Sequence, residues 1–281
     1  MNTRVLAPPV TLARLICLPH AGASASVYGK WQALAPSWFE ISGLELPGRG
    51  RRASEAPARD LGALSEQLAR EIALESRSLV GQSSSPHVRH SLARCPYALF
   101  GHSMGAVLAF EIVDRLRAFG AEGPIALFVS GREAPDLRRP TRYRGLQGDA
   151  ELVAELRRLG GTPELIFQNR DLLEMTLAVL RADFAACANY RYRERPPYGC
   201  PLHALGGLQD RATPSELGEW ARQTSSTFTL TMFEGGHFFH HRHTARVVSM
   251  IAERVREALP ENPVRFSAMD LDRESSNDGH G

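Results

Sequence analysis

A serine with a glycine two positions away on each side is the clearest chemical signal in this 281-residue sequence. The segment Gly101-His102-Ser103-Met104-Gly105 lies between an apolar stretch that predicts a strand over residues 97–100 and an amphipathic pattern that predicts a helix over 104–119. A strand–turn–helix context forces such a serine into a strained turn, and the two glycines relieve the crowding. We therefore predict that Ser103 is a nucleophile, and not part of a chance match in a glycine-rich turn.

A serine hydroxyl needs a histidine base, and the histidine needs a carboxylate that fixes its tautomer. In α/β-hydrolases the order along the chain is serine, acid, histidine, with the acid and the histidine in loops that follow late strands. Asp210 follows a predicted strand over residues 202–205, and His237 follows one over 228–233. The predicted catalytic triad is therefore Ser103, Asp210 and His237.

Three other aspartates compete for the acid position. Asp114 and Asp183 lie inside predicted helices, and Asp136 opens a helical segment. None of the three ends a late strand, where this arrangement places its acid. Asp210 is therefore the preferred acid.

Other histidines compete with His237 for the role of base. His20 and His102 lie on turns close to the nucleophile's own strand, and His102 is held beside Ser103, so neither is preferred. The histidines that crowd behind His237 are interpreted as a solvated helix start, with a metal cluster as the lesser alternative because their spacing matches no usual zinc motif. They are His240, His241 and His243.

Attack on a carbonyl produces an oxyanion, which backbone amides can stabilise by about 3–4 kcal/mol for each donor. One predicted donor is the amide of Met104, the residue after the nucleophile. The second comes from the loop after the first strand, Pro19-His20-Ala21-Gly22-Ala23, and we choose Ala21. Without the serine motif, this loop would be interpreted only as a tight turn.

Strands alternate with helices in the first half of the chain, which predicts an α/β fold with a mostly parallel central sheet. Together with the serine motif and the order of the predicted triad, this resembles the α/β-hydrolase fold. The predicted strands cover residues 14–18, 39–46, 97–100, 125–130, 202–205 and 228–233. An amphipathic helix is predicted over 61–74, followed by a polar surface loop over 76–94. From about 136 to 198 only helical stretches are predicted, and we interpret them as a lid. One domain is expected over 1–260, with a disordered tail over 261–281.

Composition excludes several classes of protein. A net charge of +2, from 33 basic and 31 acidic residues, is too balanced for a chain that coats nucleic acid. No stretch approaches the roughly 20 apolar residues of a membrane span, and residues 1–9 lack the apolar core of a signal peptide, so we expect a cytoplasmic protein. The four cysteines lack the spacing of a disulfide framework or a zinc site. A monomer is the default expectation.

Six segments, taken in order, resemble the type II thioesterases that accompany polyketide synthases and nonribosomal peptide synthetases. The serine motif alone fits any lipase or esterase, but the whole ordered set is specific to this family. Two departures, Ala23 in place of a second glycine and Arg51 in place of an acidic residue, do not touch the triad. The segments are Cys17-Leu18-Pro19-His20-Ala21-Gly22, Leu46-Pro47-Gly48-Arg49-Gly50, Phe100-Gly101-His102-Ser103-Met104-Gly105-Ala106, Leu159-Gly160-Gly161-Thr162-Pro163, Leu180-Arg181-Ala182-Asp183-Phe184 and Gly235-Gly236-His237-Phe238-Phe239.

This resemblance implies hydrolysis of acyl thioesters on the phosphopantetheine arm of acyl or peptidyl carrier proteins, which clears stalled or wrongly primed chains. It also implies that Ser103 attacks, that His237 acts as base and that Asp210 orients His237, with no metal or redox cofactor. An arginine-rich edge at the start of the lid would help to dock an acidic carrier, with a solvated basic segment as the preferred alternative. Its members are Arg138, Arg139, Arg142 and Arg144.

Three other functions share parts of this pattern. A type I offloading or cyclising thioesterase usually ends a synthase, whereas this sequence starts at Met1 with no carrier domain before it, so a free-standing editing enzyme is expected. A carboxylesterase or lipase would use the same triad but prefer oxygen esters. A non-catalytic module that binds an acyl carrier or a lipid would have a broken triad, whereas all three residues are present here.

Overall fold

The computed structural model describes residues 11–81, 95–137, 143, 146, 148–160 and 162–260. The strands are β1 (Ala13–Leu18), β2 (Phe39–Gly43), β3 (Tyr97–His102), β4 (Ala126–Ser130), β5 (Leu202–Gly207) and β6 (Phe228–Phe233). They form one sheet in the order β2-β1-β3-β4-β5-β6, and every neighbouring pair is parallel. The predicted α/β fold with a mostly parallel central sheet is confirmed.

The α-helices of the described ranges follow β2 and each later strand, whereas short 3-10 helices connect β1 to β2. They are α1 (Leu61–Gly81), α2 (Met104–Ala118), α3 (Asp149–Leu159), α4 (Glu164–Gln168), α5 (Arg170–Asn189), α6 (Pro214–Gly218), α7 (Phe239–Arg242) and α8 (Thr244–Ala258). Because α1 runs to Gly81, the start of the loop predicted over 76–94 is helical, and residues 82–94 lie outside the described ranges. None of the described helices combines the length and apolar character that a membrane span needs.

Both faces of the sheet are covered by apolar side chains. Along β1, Ile16 and Leu18 belong to the core that α1 and α2 cover, whereas Leu15 and Cys17 belong to the core that α8 covers. Strands buried on both faces read as continuous apolar runs instead of alternating ones. The two helical layers leave the ends of the strands open, and the loops at the carboxyl ends are where a site can form.

Helices α3, α4 and α5 lie between β4 and β5 in chain order, where the lid is predicted. They have a small apolar core of their own, in which side chains of α3 pack against side chains of α5. Its buried members are Leu152, Leu156, Leu177, Leu180 and Phe184. The lid function and the domain boundary at residue 260 stay predictions, and the predicted tail over 261–281 lies outside the described ranges.

Candidate active site

The residues predicted to do chemistry meet at the carboxyl edge of the sheet. Strand order reverses between β1 and β3, and the crevice outside such a reversal is where ligands bind in open α/β sheets. The loop that contains Ala21 follows β1, and Ser103 follows β3 directly. Asp210 and His237 follow β5 and β6. The parallel arrangement therefore brings all of these loops to one edge.

Ser103 occupies a strained turn between β3 and α2. Its φ of 55° and ψ of −111° give it the only positive φ among the non-glycine residues of the described ranges. The Ser103 amide donates to the carbonyl oxygen of Ser130 at 2.7 Å, which ties the turn to the end of β4. A Cβ at Gly101 would lie 2.0 Å from the Gly105 oxygen, and a Cβ at Gly105 would lie 2.2 Å from the Leu18 oxygen. Both glycines are thus required by backbone contacts.

The contact at Gly105 leads to a test of stability. Gly105→Ala is expected to lower the free energy of unfolding by about 3 kcal/mol, because the clash is with the backbone of β1, which cannot move aside cheaply. Urea denaturation would measure this loss. The matched control is Gly218→Ala, since Gly218 has helical dihedrals and a Cβ there meets nothing within 4 Å. Equal stability of the two variants would contradict the close packing of α2 on β1.

Asp210 and His237 are joined by a hydrogen bond. His237 Nδ1 lies 2.9 Å from Asp210 Oδ2, and the two side chains are 5% and 3% exposed. The loops that carry them touch through backbone, because a Cβ at Gly207 would lie 2.4 Å from the Gly236 oxygen. With Nδ1 donating to the carboxylate, the lone pair of the imidazole is on Nε2, as a general base requires.

The other aspartates considered as the acid are paired with arginines. Arg49 binds Asp183, Arg222 lies 3.7 Å from Asp136, and Arg117 donates to Asp114 at 2.8 Å. Only Asp210, among the described carboxylates, bonds to the histidine that follows β6. The geometry therefore supports the predicted acid, while its catalytic role stays a prediction.

The predicted oxyanion donors are backbone amides with no competing acceptor among the described residues. Met104 is the first residue of α2, so its amide has no partner within the helix. The amide of Gly22 donates to Asp183, and that of Ala23 donates to the His20 oxygen at 3.1 Å. The amide of Ala21 has no hydrogen-bond acceptor among the described residues. This difference favours Ala21 over its neighbours as the second donor.

A cavity of about 290 Å³ joins these groups to the inserted helices. Ser103, His237 and Ala21 line it on the side of the sheet. The opposite wall is largely apolar and comes from the helices between β4 and β5, with side chains that include Leu156, Leu159, Ile166, Leu180 and Phe184. An apolar chamber with a few polar groups at one end suits an acyl chain whose carbonyl lies at Ser103.

Comparison with known proteins identifies the family. The family model described as "Thioesterase domain" matches residues 13–79 and 85–255. The chain belongs to the thioesterase family. It is 34% identical over 247 residues to the gramicidin S biosynthesis protein GrsT of Aneurinibacillus migulanus, covering 88% of this chain and 90% of GrsT.

Solved structures of type II thioesterases share the fold. The thioesterase is 41% identical to BorB, a type II thioesterase from the borrelidin biosynthetic cluster, with a TM-score of 0.73 over 88% of this chain and 94% of that one. It is 31% identical to YbtT, a type II thioesterase from the yersiniabactin NRPS/PKS pathway, with a TM-score of 0.72 over 89% and 95% of the two chains. The predicted resemblance is confirmed, and the chain is a hydrolase of thioesters.

One of the three histidines behind His237 differs from the prediction, whereas His241 is exposed as expected. His240 is only 2% exposed, so a solvated helix start is wrong for this residue. Its ring centroid lies 4.2 Å from that of His102, which in turn lies 4.8 Å from that of His237. Within the described ranges, no three His, Cys, Asp or Glu side chains are grouped to hold a metal ion. Burial lowers the pKa of His102 and of His240 well below its ordinary value.

These lowered pKa values predict how the stability of the thioesterase depends on pH. Unfolded histidines bind a proton as pH falls through about 6.5, whereas His102 and His240 stay neutral in the folded state. The folded state therefore loses stability as pH falls from 7 to 5, on the order of 2 kcal/mol for each such histidine. Urea denaturation at both pH values would measure how the free energy of unfolding depends on pH. His240→Gln should reduce this dependence. An unchanged dependence would contradict a buried, neutral His240.

Two residues of the site were not found by sequence reasoning. Arg49 and Asp183 are buried beside the loop that contains Ala21. Each lies in one of the segments that carry the family resemblance, and this was the only signal for them in the sequence. The sequence presents Asp183 only as a competitor for the acid position, and nothing in it predicts Arg49 as the partner of Asp183.

Proposed function

We propose that this thioesterase removes stalled or wrongly primed acyl groups from the phosphopantetheine arms of acyl or peptidyl carrier proteins, in polyketide or nonribosomal peptide assembly. The observation that carries the proposal is the hydrogen bond from His237 to Asp210 at an apolar cavity that Ser103 also lines. The names of its relatives support the pathway, since GrsT, BorB and YbtT are assigned to the biosynthesis of gramicidin S, borrelidin and yersiniabactin.

In the first half of the reaction, Ser103 Oγ attacks the thioester carbonyl carbon while His237 Nε2 takes the hydroxyl proton. The carbonyl oxygen becomes an oxyanion, which the amides of Ala21 and Met104 stabilise. The carbon–sulfur bond then breaks, and the phosphopantetheine sulfur leaves as a thiol with the proton from His237. The acyl group stays on Ser103 as an ester.

In the second half, water attacks the acyl-enzyme while His237 takes one of its protons. The tetrahedral intermediate collapses, His237 returns the proton to Ser103 Oγ, and a free carboxylic acid leaves. Asp210 stabilises the imidazolium in both halves. These reaction steps need no metal or redox cofactor, and we propose none.

Substrate preference tests this proposal. We expect turnover of acetyl, propionyl and longer acyl groups from a phosphopantetheinylated carrier protein, with a higher kcat/KM than for the same groups on a small thiol. The matched comparison uses oxygen esters of the same acids. Silence on carrier-bound thioesters, together with turnover of oxygen esters, would instead identify a carboxylesterase.

Docking of an acidic carrier to the arginine-rich edge is a separate prediction. Arg138, Arg139, Arg142 and Arg144 lie outside the described ranges, so the test is kinetic. Charge reversal at Arg138, Arg139 and Arg142 is expected to raise KM for an acyl-carrier substrate and leave KM for a small acyl thioester unchanged. Equal effects on both substrates would exclude this edge as a docking site.

A further inference from the structure

A buried ion pair outside the triad links two distant parts of the chain. Arg49 follows β2, and Asp183 lies within α5. Arg49 Nη1 donates to Asp183 Oδ2 at 2.6 Å, Arg49 Nη2 donates to Asp183 Oδ1 at 2.8 Å, and the side chains are 6% and 1% exposed. Two parallel charge-assisted bonds fix the orientation of both groups. The pair therefore anchors α5 to the body of the domain.

The same two side chains hold the loop after β1. The Gly22 amide donates to Asp183 Oδ2 at 2.8 Å, and Arg49 Nη1 donates to the Ala23 oxygen at 3.3 Å. Gly22 has a φ of +80°, and Leu180 Cδ1 of α5 would lie 3.2 Å from a Cβ there. Helix α5 thus packs directly on the turn that supplies the predicted oxyanion donor.

The geometry of this turn links the Arg49–Asp183 pair to the Ala21 amide. The Ala23 amide closes the turn onto the His20 oxygen, and a positive φ at its third residue is what a type II turn requires. Asp183 holds the peptide between Ala21 and Gly22, so only the two backbone dihedrals of Ala21 separate this anchored peptide from the Ala21 amide. Both Asp183 oxygens already accept hydrogen bonds from Arg49 or Gly22, so the carboxylate supports the turn and does not contact the reacting atoms.

We propose that Arg49 and Asp183 are positioning residues that aim the Ala21 amide at the oxyanion and tie this donor to the inserted helices. The inference rests on the serine mechanism of the proposed function. A donor displaced by a fraction of an ångström stabilises the transition state less, while the acyl chamber still binds substrate. Loss of the pair should therefore lower kcat and leave KM nearly unchanged.

The chain offers a matched control for this test. Glu111 in α2 accepts from Arg195 Nη2 at 2.7 Å and Nη1 at 3.1 Å, and these side chains are 6% and 8% exposed. Asp183→Asn and Glu111→Gln thus make the same chemical change in two buried bidentate pairs. Asp183→Asn should lower kcat for a small acyl thioester about 30- to 100-fold with KM within about twofold, whereas Glu111→Gln should leave kcat within about twofold at a similar loss in Tm.

A second variant covers the case in which Asp183→Asn fails to fold. Arg49→Met combined with Asp183→Leu removes both charges, and such apolar replacements of buried ion pairs are often neutral for stability. We expect this double variant to fold and to show the same loss of kcat. Wild-type kcat in either folded Asp183 variant, or equal kcat losses in Asp183→Asn and Glu111→Gln, would overturn the proposal.

The rate of Ser103 labelling by a fluorophosphonate separates this inference from the proposed function. Labelling needs the nucleophile, the base and the oxyanion donors, but it uses no thioester. It should slow in Asp183→Asn about as much as kcat falls. An enzyme that proves to prefer oxygen esters would still show this difference, whereas labelling at the wild-type rate would contradict the positioning role alone.

Discussion

Ser103→Ala is expected to lower kcat for acyl thioesters by about 10⁴-fold or more, because no acyl-enzyme can form without the hydroxyl. The substitution leaves the backbone contacts of the turn, including the bond from the Ser103 amide to Ser130, in place. The residual rate would come from substrate binding and the oxyanion donors. Steady-state turnover should fall to this residual rate, and stoichiometric fluorophosphonate labelling should be lost.

Ser26 provides the control hydroxyl for this substitution. Its side chain lines the same cavity and bonds to Ser24, but it lies in a 3-10 helix and not in a turn directly after a strand, and it does not belong to the predicted triad. Ser26→Ala should therefore keep kcat within a few-fold of wild type. If Ser103→Ala kept its turnover, or if labelling moved to another serine, the assignment of the nucleophile would be wrong.

Asp210→Asn is expected to lower kcat by about 10⁴-fold, since an amide no longer fixes the His237 tautomer or stabilises the imidazolium. The structure allows the substitution without a large change in shape, because Asp210 Oδ1 also accepts from the Arg211 amide at 2.6 Å and an amide oxygen can keep this bond. The loss should appear in kcat for carrier-bound and small thioesters alike.

The same substitution at two other aspartates gives kcat losses with which that of Asp210→Asn can be compared. Asp183→Asn should lower kcat about 30- to 100-fold through the oxyanion donor. Asp114→Asn should leave kcat almost unchanged, because Asp114 does not line the cavity and pairs with Arg117 and Arg195. A variant with the Asp183 or Asp114 substitution that lost more activity than Asp210→Asn would show that the acid has been misassigned.

Much of the site could be predicted because the sequence places its groups at the ends of strands. Strand β6 has the predicted bounds, and His237 follows it at the expected distance. Glycines misled the prediction of strand ends, since the predicted strands stop at residues 100 and 205, just before Gly101 and Gly206. Both glycines continue their strands and pair with Val129 and Met232. Neighbouring backbone or side-chain atoms come too close to leave room for a larger residue at these positions.

Contacts between distant residues explain the rest of the differences. His240 is polar and lies in a segment with three other histidines, and only its packing against His102 and Trp31 in the folded chain shows that it is buried. Arg49 and Asp183 are 134 positions apart, and no spacing rule connects them. Local patterns predict which elements form, whereas the partners of buried polar groups depend on how those elements are assembled.

The position of Asp183 within α5 restricts how the chain-length selectivity of this enzyme can be redesigned. Leu180 and Phe184 line the acyl cavity and lie within one helical turn of Asp183. Enlarging the chamber at either residue would also shift the anchor of the Ala21 loop, so selectivity and turnover would change together. Leu159 and Ile166 line the same chamber from α3 and α4, and substitutions there would change the space for the acyl chain without moving that anchor.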